Sequence, residues 1–235
     1  MEAETKIIAI TGAAMGLGRA LARQLVSVGH RVILLGRTRT TLDKLASELG
    51  SSASVEVCDV SSPHSVKAVF DSIAKQYAVI DVLINNAAVY EPFFVKDATD
   101  EQISAAMNTN FAGPVYCSRA VIPLMKAGSH IVNISSETVG ENHAMFSLYQ
   151  SSKAGLERFT EALHDELNPD GIRVTLARAG QMMDADSRPP GDGEDRAGRG
   201  RSDPQGGGAG LRHVPEASGA GADHAVPDPS CPWRC

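Results

Sequence analysis

The amino-acid sequence predicts an α/β fold: a doubly wound parallel sheet of six strands with helices on both faces. Six short apolar runs of strand length alternate with amphipathic patterns of helical period. Glycines and polar residues follow these runs, as expected where parallel strands present their carboxyl ends to a ligand. The 235 residues, of which 43% are hydrophobic, suffice for one domain with a sizeable core.

The first half of the chain carries clear signals for where its helices begin and end. A leucine-rich stripe of helical period stops at Gly29, and a second helix is predicted over residues 41–49. Ser62 and Pro63 predict the start of a third helix, because a capping residue is followed by a first-turn proline. The strands that alternate with these helices are predicted at residues 6–10, 31–35 and 55–60.

A glycine turn joins the first strand to the first helix. Gly12 permits a tight turn, Gly16 lets main chain approach a pyrophosphate, and Gly18 lets the helix pack closely on the sheet. Phosphates would then bind free amides at the helix N-terminus. The pattern, which begins at Thr11, indicates a Rossmann-like nucleotide site; an ordinary strand-to-helix turn is the alternative.

The ends of the second and third strands carry two further candidate ligand residues. Arg37 follows Gly36 at the position where an acid would bind a ribose 2′-hydroxyl and an arginine would accommodate a 2′-phosphate. This favours NADP over NAD, which stays possible; alternatively, Arg37 and Arg39 only border a solvated loop. Asp59 either accepts from an adenine amino group or begins the next turn.

The second half repeats the alternation with more polar residues. Asn85 and Asn86, followed by two alanines, indicate main chain held close to a ligand, or a plain asparagine-rich turn. A capping box starts the next helix, in which Asn110 needs buried partners and Pro114 predicts a kink. One further helix carries Tyr149, so five helices are predicted in all. The strands are predicted at residues 79–84, 130–136 and 171–177.

Tyr149 and Lys153 lie four residues apart in that last helix, which places them on one face. A nearby ammonium lowers the pKa of a phenol, and a phenol tuned toward neutral pH can exchange a proton with a reacting oxygen. The spacing alone is weak evidence, because it also occurs by chance on solvated helices. Ser135 and Ser136 add two hydroxyls at the end of the preceding strand.

Composition excludes other classes of protein. The net charge of −6, without a run of Lys or Arg, argues against a nucleic-acid partner. No apolar stretch approaches the length of a membrane span, and the acidic N-terminus lacks a signal-peptide pattern. Four scattered cysteines form neither a disulfide framework nor a metal site, which favours a reducing cytoplasm.

In combination these motifs resemble the short-chain dehydrogenase/reductase (SDR) family. The resemblance rests on the glycine turn, Asn85-Asn86-Ala87, Ser136 thirteen residues before Tyr149, and Lys153. It extends over about residues 6–180, with alanine where the family usually has the glycine of Asn-Asn-Ala-Gly. A nucleotide-sugar epimerase of the extended branch shares the Tyr and Lys spacing, but its glycines are usually spaced differently.

The resemblance implies roles for individual residues. Tyr149 would be the acid or base, Lys153 would lower its pKa and bind the nicotinamide ribose, and Ser136 would hold the substrate oxygen. Asn110, rather than Asn108, would anchor a water in the proton relay. The implied cofactor-binding residues are Thr11, Gly12, Gly16, Leu17, Gly18, Arg37, Asp59, Val60, Asn86, Ala87, Tyr149 and Lys153. The loop 137–146 and Gln150 would line the substrate pocket.

The implied function is NAD(P)-dependent hydride transfer to or from a carbonyl or secondary alcohol, without a metal. The alternative is a catalytically impaired, nucleotide-binding relative. Residues 1–186 form the predicted domain; residues 187–235 hold ten of the 22 glycines and seven of the 12 prolines, which predicts a disordered tail. That tail is divergent or frameshifted and lacks the family's last helix and strand. A homodimer is therefore possible, whereas the family's usual tetramer is doubtful.

Overall fold

The computed structural model describes residues 4–180 and confirms the predicted six-stranded parallel sheet. The strand order is β3-β2-β1-β4-β5-β6, with all neighbouring pairs parallel. This is the strand order of a Rossmann-type sheet, in which the order of the strands along the chain reverses between β1 and β4. The strands are β1 (Ile7–Thr11), β2 (Arg31–Gly36), β3 (Ala53–Val57), β4 (Val82–Asn85), β5 (His130–Ser136) and β6 (Arg173–Ala179).

Helices connect the strands and cover both faces of the sheet. They are α1 (Gly16–Ser27), α2 (Arg39–Leu49), α3 (Pro63–Gln76), α4 (Asp100–Met107), α5 (Gly113–Val121) and α6 (Ser147–Leu167). The strands turned out slightly shifted: the third ends at Val57, not at residue 60, and Asp59 lies beyond it. The other differences from the predicted bounds fall at strand ends.

Successive residues of the central strands enter two different cores. Ile8 and Ile10 of β1 pack with residues of α1 and α2 on one face, whereas Ala9 packs with residues of α3, α5 and α6 on the other. This alternation follows from the period of two in a strand. Because both faces are covered, β1 and β2 read in sequence as unbroken apolar runs, as expected for a parallel sheet.

The predicted cap signals are present, and the predicted kink has a different form. Ser62 accepts from the Ser65 amide at the start of α3, and Thr99 and Gln102 form a reciprocal capping box at α4. The prediction of one kinked helix was wrong in detail. A π-helical turn over Asn108–Ala112 separates α4 from α5, and Pro114 lies in the first turn of α5, where its missing N–H is harmless.

Strand β6 pairs only with β5 among the residues that the structure describes. Its burial is partial, and Val82, Val132 and Ile134 on the α1 and α2 face of the sheet are only half-buried. The predicted boundary at residue 186 and the predicted tail lie outside the described residues. No helix between residues 4 and 180 is long and apolar enough to cross a membrane.

Candidate active site and nucleotide cleft

The glycine turn between β1 and α1 requires glycine for two different reasons. Gly12 and Gly16 have φ of 65° and 51°, in the left-handed region that other residues rarely adopt. A Cβ at Gly18 would lie 2.3 Å from the Gly12 carbonyl oxygen, so α1 could not pack against the turn. A Cβ at Gly16 would meet no atom of residues 4–180 within 4 Å, so this position requires glycine for its φ rather than for packing.

Thr11 and Asn86 hold this turn against the end of β4. The buried Thr11 Oγ1 accepts from the main-chain amides of Asn86 and Ala87, at 2.9 and 3.0 Å. The Asn86 side chain donates to the carbonyl oxygens of Thr11 and Gly12, at 2.9 and 3.2 Å. Both residues were predicted to bind the cofactor. Their side chains shape the turn, so they would contribute to cofactor binding by holding the main chain of the turn in place.

A cleft of about 260 Å³ runs from the glycine turn across the carboxyl ends of the strands. Predicted cofactor residues at its wall are Gly12, Arg37, Asp59, Val60, Asn86 and Ala87. Asp59 also begins a turn, since its Oδ1 accepts from the Ser61 amide and hydroxyl. A second groove, of about 360 Å³, lies between α3 and α5, and none of the predicted site residues lines it.

Arg37 and Arg39 differ in what their guanidinium groups already contact. Arg39 is paired with Asp43 one turn along α2, at 2.9 Å. Arg37 is exposed at the cleft and has no hydrogen-bond or ion-pair partner among residues 4–180. Of the two arginines left open by the sequence, Arg37 is therefore the one available to a phosphate.

Tyr149 lies in the first turn of α6, close to Ser136 at the end of β5. Burial raises the pKa of the Tyr149 phenol, hydrogen bonding with Ser136 lowers it, and Tyr90 raises it again. The Ser136 hydroxyl also shares a hydrogen bond with Thr138 Oγ1, at 2.9 Å. Ser135 faces the other way, because side chains alternate along a strand, and donates to Glu157. The structure thus brings Ser136, not Ser135, to the phenol.

Lys153 is 2% exposed, and its Nζ donates to the Ile134 carbonyl oxygen at 2.7 Å. Burial lowers the pKa of Lys153 to about 8. The pKa of Tyr149 is raised, and Lys153 is not among the causes of that shift, so a lowering of this pKa by Lys153 stays a prediction. In this structure the ammonium is directed at a main-chain carbonyl and is itself pushed toward neutrality by burial.

Asn110 is fully buried inside the π-helical turn, whereas Asn108 is exposed. The Asn110 side chain accepts from the Val89 amide at 2.7 Å and donates to the Val89 carbonyl oxygen at 2.9 Å. It therefore fixes the segment after β4 beside the site. The π-helical turn brings this one side chain inward at a bend, a placement often found near functional sites.

One aromatic residue, Tyr90, was missed in the sequence, whereas Phe146 ends the loop that was predicted to line the pocket. The Tyr90 ring lies edge-on to the Tyr149 ring, with centroids 4.9 Å apart, and stacks on Phe146 at 5.0 Å. The only signal for Tyr90 was its position two residues after the Asn-Asn-Ala-Ala segment. Gln150, predicted to line the pocket, donates instead to the carbonyl oxygens of Thr138 and Glu141 and so braces the loop.

Within residues 4–180, no three His, Cys, Asp or Glu side chains are grouped to hold a metal ion. Both cysteines in that range, Cys58 and Cys117, are buried and carry free thiols. Burial raises the pKa of Cys58 to about 11 and that of Cys117 further, so neither is a reactive thiolate at neutral pH.

With this geometry in place, comparison with protein families is decisive. The family model described as short chain dehydrogenase matches residues 6–189. The chain belongs to the short-chain dehydrogenase family. Membership of this family makes the chain an oxidoreductase, and the resemblance predicted from the sequence is confirmed.

Curated relatives are similar to most of the chain at moderate sequence identity. The NADP-dependent 3-hydroxy acid dehydrogenase YdfG of Salmonella typhi is 34% identical over 174 residues, which are 72% of this chain and 69% of the relative. Carbonyl reductase family member 4 of Danio rerio is 31% identical over 178 residues, 75% of each chain.

Solved structures agree with the fold. A short-chain dehydrogenase from Streptomyces avermitilis superposes with a TM-score of 0.74 at 31% identity, over 78% of this chain and 68% of the other. The closed form of a serine dehydrogenase complexed with NADP+ gives a TM-score of 0.70 at 31% identity, over 74% and 71% of the two chains.

Proposed function

We propose that the chain catalyses NADP(H)-dependent reduction of a carbonyl compound, with the reverse oxidation of a secondary alcohol as the same reaction run backwards. The observation that carries the proposal is the convergence of Tyr149 and Ser136 at the end of β5, with Lys153 buried one turn behind. The glycine turn at the end of β1 leads into the N-terminus of α1, where main-chain amides can bind a pyrophosphate. The residues present therefore fit a dinucleotide.

Each side chain has a definable task. Nicotinamide, when bound, supplies the hydride. The Tyr149 hydroxyl, whose pKa is raised, keeps its proton at neutral pH and can donate it to the substrate oxygen. The Ser136 hydroxyl can donate a hydrogen bond to the same oxygen as negative charge develops there. In the reverse oxidation the same oxygen acts as the base, and the ratio of oxidised to reduced cofactor sets the direction of the reaction.

The preference for NADP rests on Arg37 and on the relatives. The Arg37 guanidinium stands at the cleft wall beside Thr38 and Thr41, at the start of α2, where a 2′-phosphate would also meet the positive end of a helix. A curated relative is named NADP-dependent, and a similar structure holds NADP+.

The experiment is turnover of NADPH by the full 235-residue chain against a panel of ketones and aldehydes. We expect Tyr149→Phe to lower kcat by about 10²- to 10⁴-fold, because general acid catalysis is lost. NADPH affinity should stay within about twofold, since the phenol hydroxyl is not a phosphate contact. NADPH binding without turnover of any carbonyl or alcohol would instead establish the catalytically impaired relative.

Two expectations from the sequence are part of this proposal. A reducing, cytoplasmic location rests on cysteine usage, and the thiols of Cys58 and Cys117 are both unbridged. A homodimer rests on family resemblance. Sedimentation of the full chain tests the dimer, and a monomer that turns over substrate would remove it from the proposal.

A further inference from the structure

The phenol of Tyr149 is bordered by two aromatic side chains that no catalytic role requires. Tyr90 stacks on Phe146 with an interplanar angle of 20° and meets Tyr149 at 85°. We call Tyr90 and Phe146 the aromatic wall. Tyr90 is 62% exposed, which is unusual for a large ring held in two specific ring contacts. An exposed ring beside a proton donor is a surface for a substrate.

The aromatic wall belongs to two loops that are fixed to each other. The Phe93 amide donates to the Met145 carbonyl oxygen at 3.0 Å, which joins the segment after β4 to the segment before α6. Met145 has a φ of 73°, a costly conformation for methionine that persists only where the surroundings impose it. The wall is therefore formed before any substrate arrives.

The surroundings of the wall are apolar. Phe94 and Met145, on the same two loops, are 49% and 37% exposed. Two acidic side chains of these loops already have partners: Glu91 accepts from Gln102 at 3.1 Å, and Glu141 is paired with His143. Large apolar side chains exposed together commonly mark a binding surface.

We propose that this surface binds a flat, apolar ring of the substrate, so that the chain prefers aryl ketones over charged oxo acids, and that Tyr90 determines the preference. The proposal rests on the proposed function, because it specifies the substrate of the same site. A ring can stack on Tyr90 while its carbonyl oxygen reaches Tyr149. A carboxylate placed there would lose hydration against the negative faces of the rings.

The test compares acetophenone with acetoacetate as substrates of the full chain with saturating NADPH. The wild type should show kcat/KM at least about tenfold higher for acetophenone, the size typical of one pocket contact. Tyr90→Ser should raise KM for acetophenone about tenfold and leave acetoacetate within about twofold. Tyr90→Phe should keep the preference. Val28→Ser, at a side chain 53% exposed near the end of α1, is the matched control.

The pattern of kinetic change separates this role from mere packing. If Tyr90 only supported Tyr149, Tyr90→Ser would lower kcat for both substrates alike, which would overturn the proposal. A wild-type preference for acetoacetate would overturn it as well.

Binding without chemistry keeps the proposal testable if the chain proves inactive. In a Tyr149→Phe background with NADPH, saturation-transfer NMR should detect acetophenone, and adding Tyr90→Ser should abolish the signal while adding Val28→Ser should not. Equal signals, or none in the background, would overturn the proposal. Tyr90-dependent binding without turnover by the wild type would overturn only the proposed function.

Discussion

The β1–β3 half of the sheet and the β4–β6 half are filled with different kinds of side chain. In the first half, the buried strand positions are apolar apart from Thr11 at the end of β1, with Ile33, Leu34 and Leu35 each 1% exposed or less. In the second half, Asn85, Asn133, Ser135 and Ser136 are buried on the strands. The glycine turn of the first half depends on main-chain geometry, whereas the chemistry proposed for the second half needs oriented side chains.

In the β4–β6 half, which we call the polar half, a chain of side-chain hydrogen bonds adds to apolar packing. The Asn85 amide donates to Asn133 Oδ1 at 2.8 Å and to Ser118 of α5 at 3.3 Å. Asn133 donates in turn to Thr160 of α6, at 2.9 Å. These bonds tie the helix that carries Tyr149 to the sheet. Such networks specify a unique arrangement but are costly when broken.

The largest effect is expected at the glycine turn of the first half, where Gly18→Ala should lower the free energy of unfolding by about 3 kcal/mol. The new methyl would overlap main chain, with the Gly12 carbonyl oxygen 2.3 Å away. Gly16→Ala should cost only about 1 kcal/mol, from its left-handed φ, yet weaken NADPH binding. Urea denaturation measures both. Equal destabilisation would show that packing does not distinguish the two glycines.

In the polar half, a double-mutant cycle on the cross-strand pair Asn85 and Asn133 should reveal strong coupling. Asn85→Ala removes the donor to Asn133 Oδ1, and Asn133→Ala leaves the Asn85 amide with only its longer bond to Ser118. Each change should cost about 2 kcal/mol. The double variant should cost less than the sum by about 1 kcal/mol, because both unsatisfied groups are gone.

The matched control is the cross-strand pair Ile10 and Leu34 in the apolar half, both fully buried. Truncation to Ala there creates two cavities, so the losses should come close to adding. The contrast between the halves would disappear if the two cycles gave the same coupling energy.

Of Arg37 and Arg39, only Arg37 should determine the preference for NADPH over NADH. Arg37→Ala should raise the Kd for NADPH about tenfold and leave NADH within about twofold, because only NADPH offers a phosphate for a charge-assisted bond. Arg39→Ala is the control, since Arg39 is engaged with Asp43. Fluorescence titration measures each Kd. Equal weakening of both nucleotides would place Arg37 outside the 2′-phosphate site.

The last expected effect concerns the charge of Lys153 and its dependence on pH. Its folded-state pKa of about 8 lies below the ordinary 10.5, so the unfolded chain binds more protons across that window. The free energy of unfolding therefore rises with pH between these two pKa values. Relative to Lys153→Met, the wild type without nucleotide should gain about 2 kcal/mol between about pH 8 and pH 10.

The comparison with Lys153→Met is needed because Cys58, with its pKa raised to about 11, changes stability in the opposite direction above its ordinary 9.0. Cys58 is present in both chains, so its contribution cancels in the difference. Thermal or urea unfolding at each pH gives the two curves. A constant difference would mean that Lys153 keeps an ordinary pKa in the folded chain.

The sequence predicted the sheet, the caps of α3 and α4, and the positions of Tyr149 and Lys153, because these depend on short-range patterns. It could also favour Ser136 over Ser135 and Asn110 over Asn108 through spacing to a family motif. It missed the π-helical turn at Asn108–Ala112, since that bend satisfies packing between α4, α5 and α6 rather than a local preference.

By itself, the sequence determined the strand and helix periodicity, the glycine turn and the family to which the chain belongs. Only the tertiary structure decided that Tyr90 and Phe146 border the phenol, that Asn86 braces the glycine turn, and that Lys153 faces the Ile134 carbonyl. The physical reason is that pKa values and ring contacts depend on burial and on partners distant in sequence. Hydrophobic period, capping and turn chemistry depend on neighbours within a few residues.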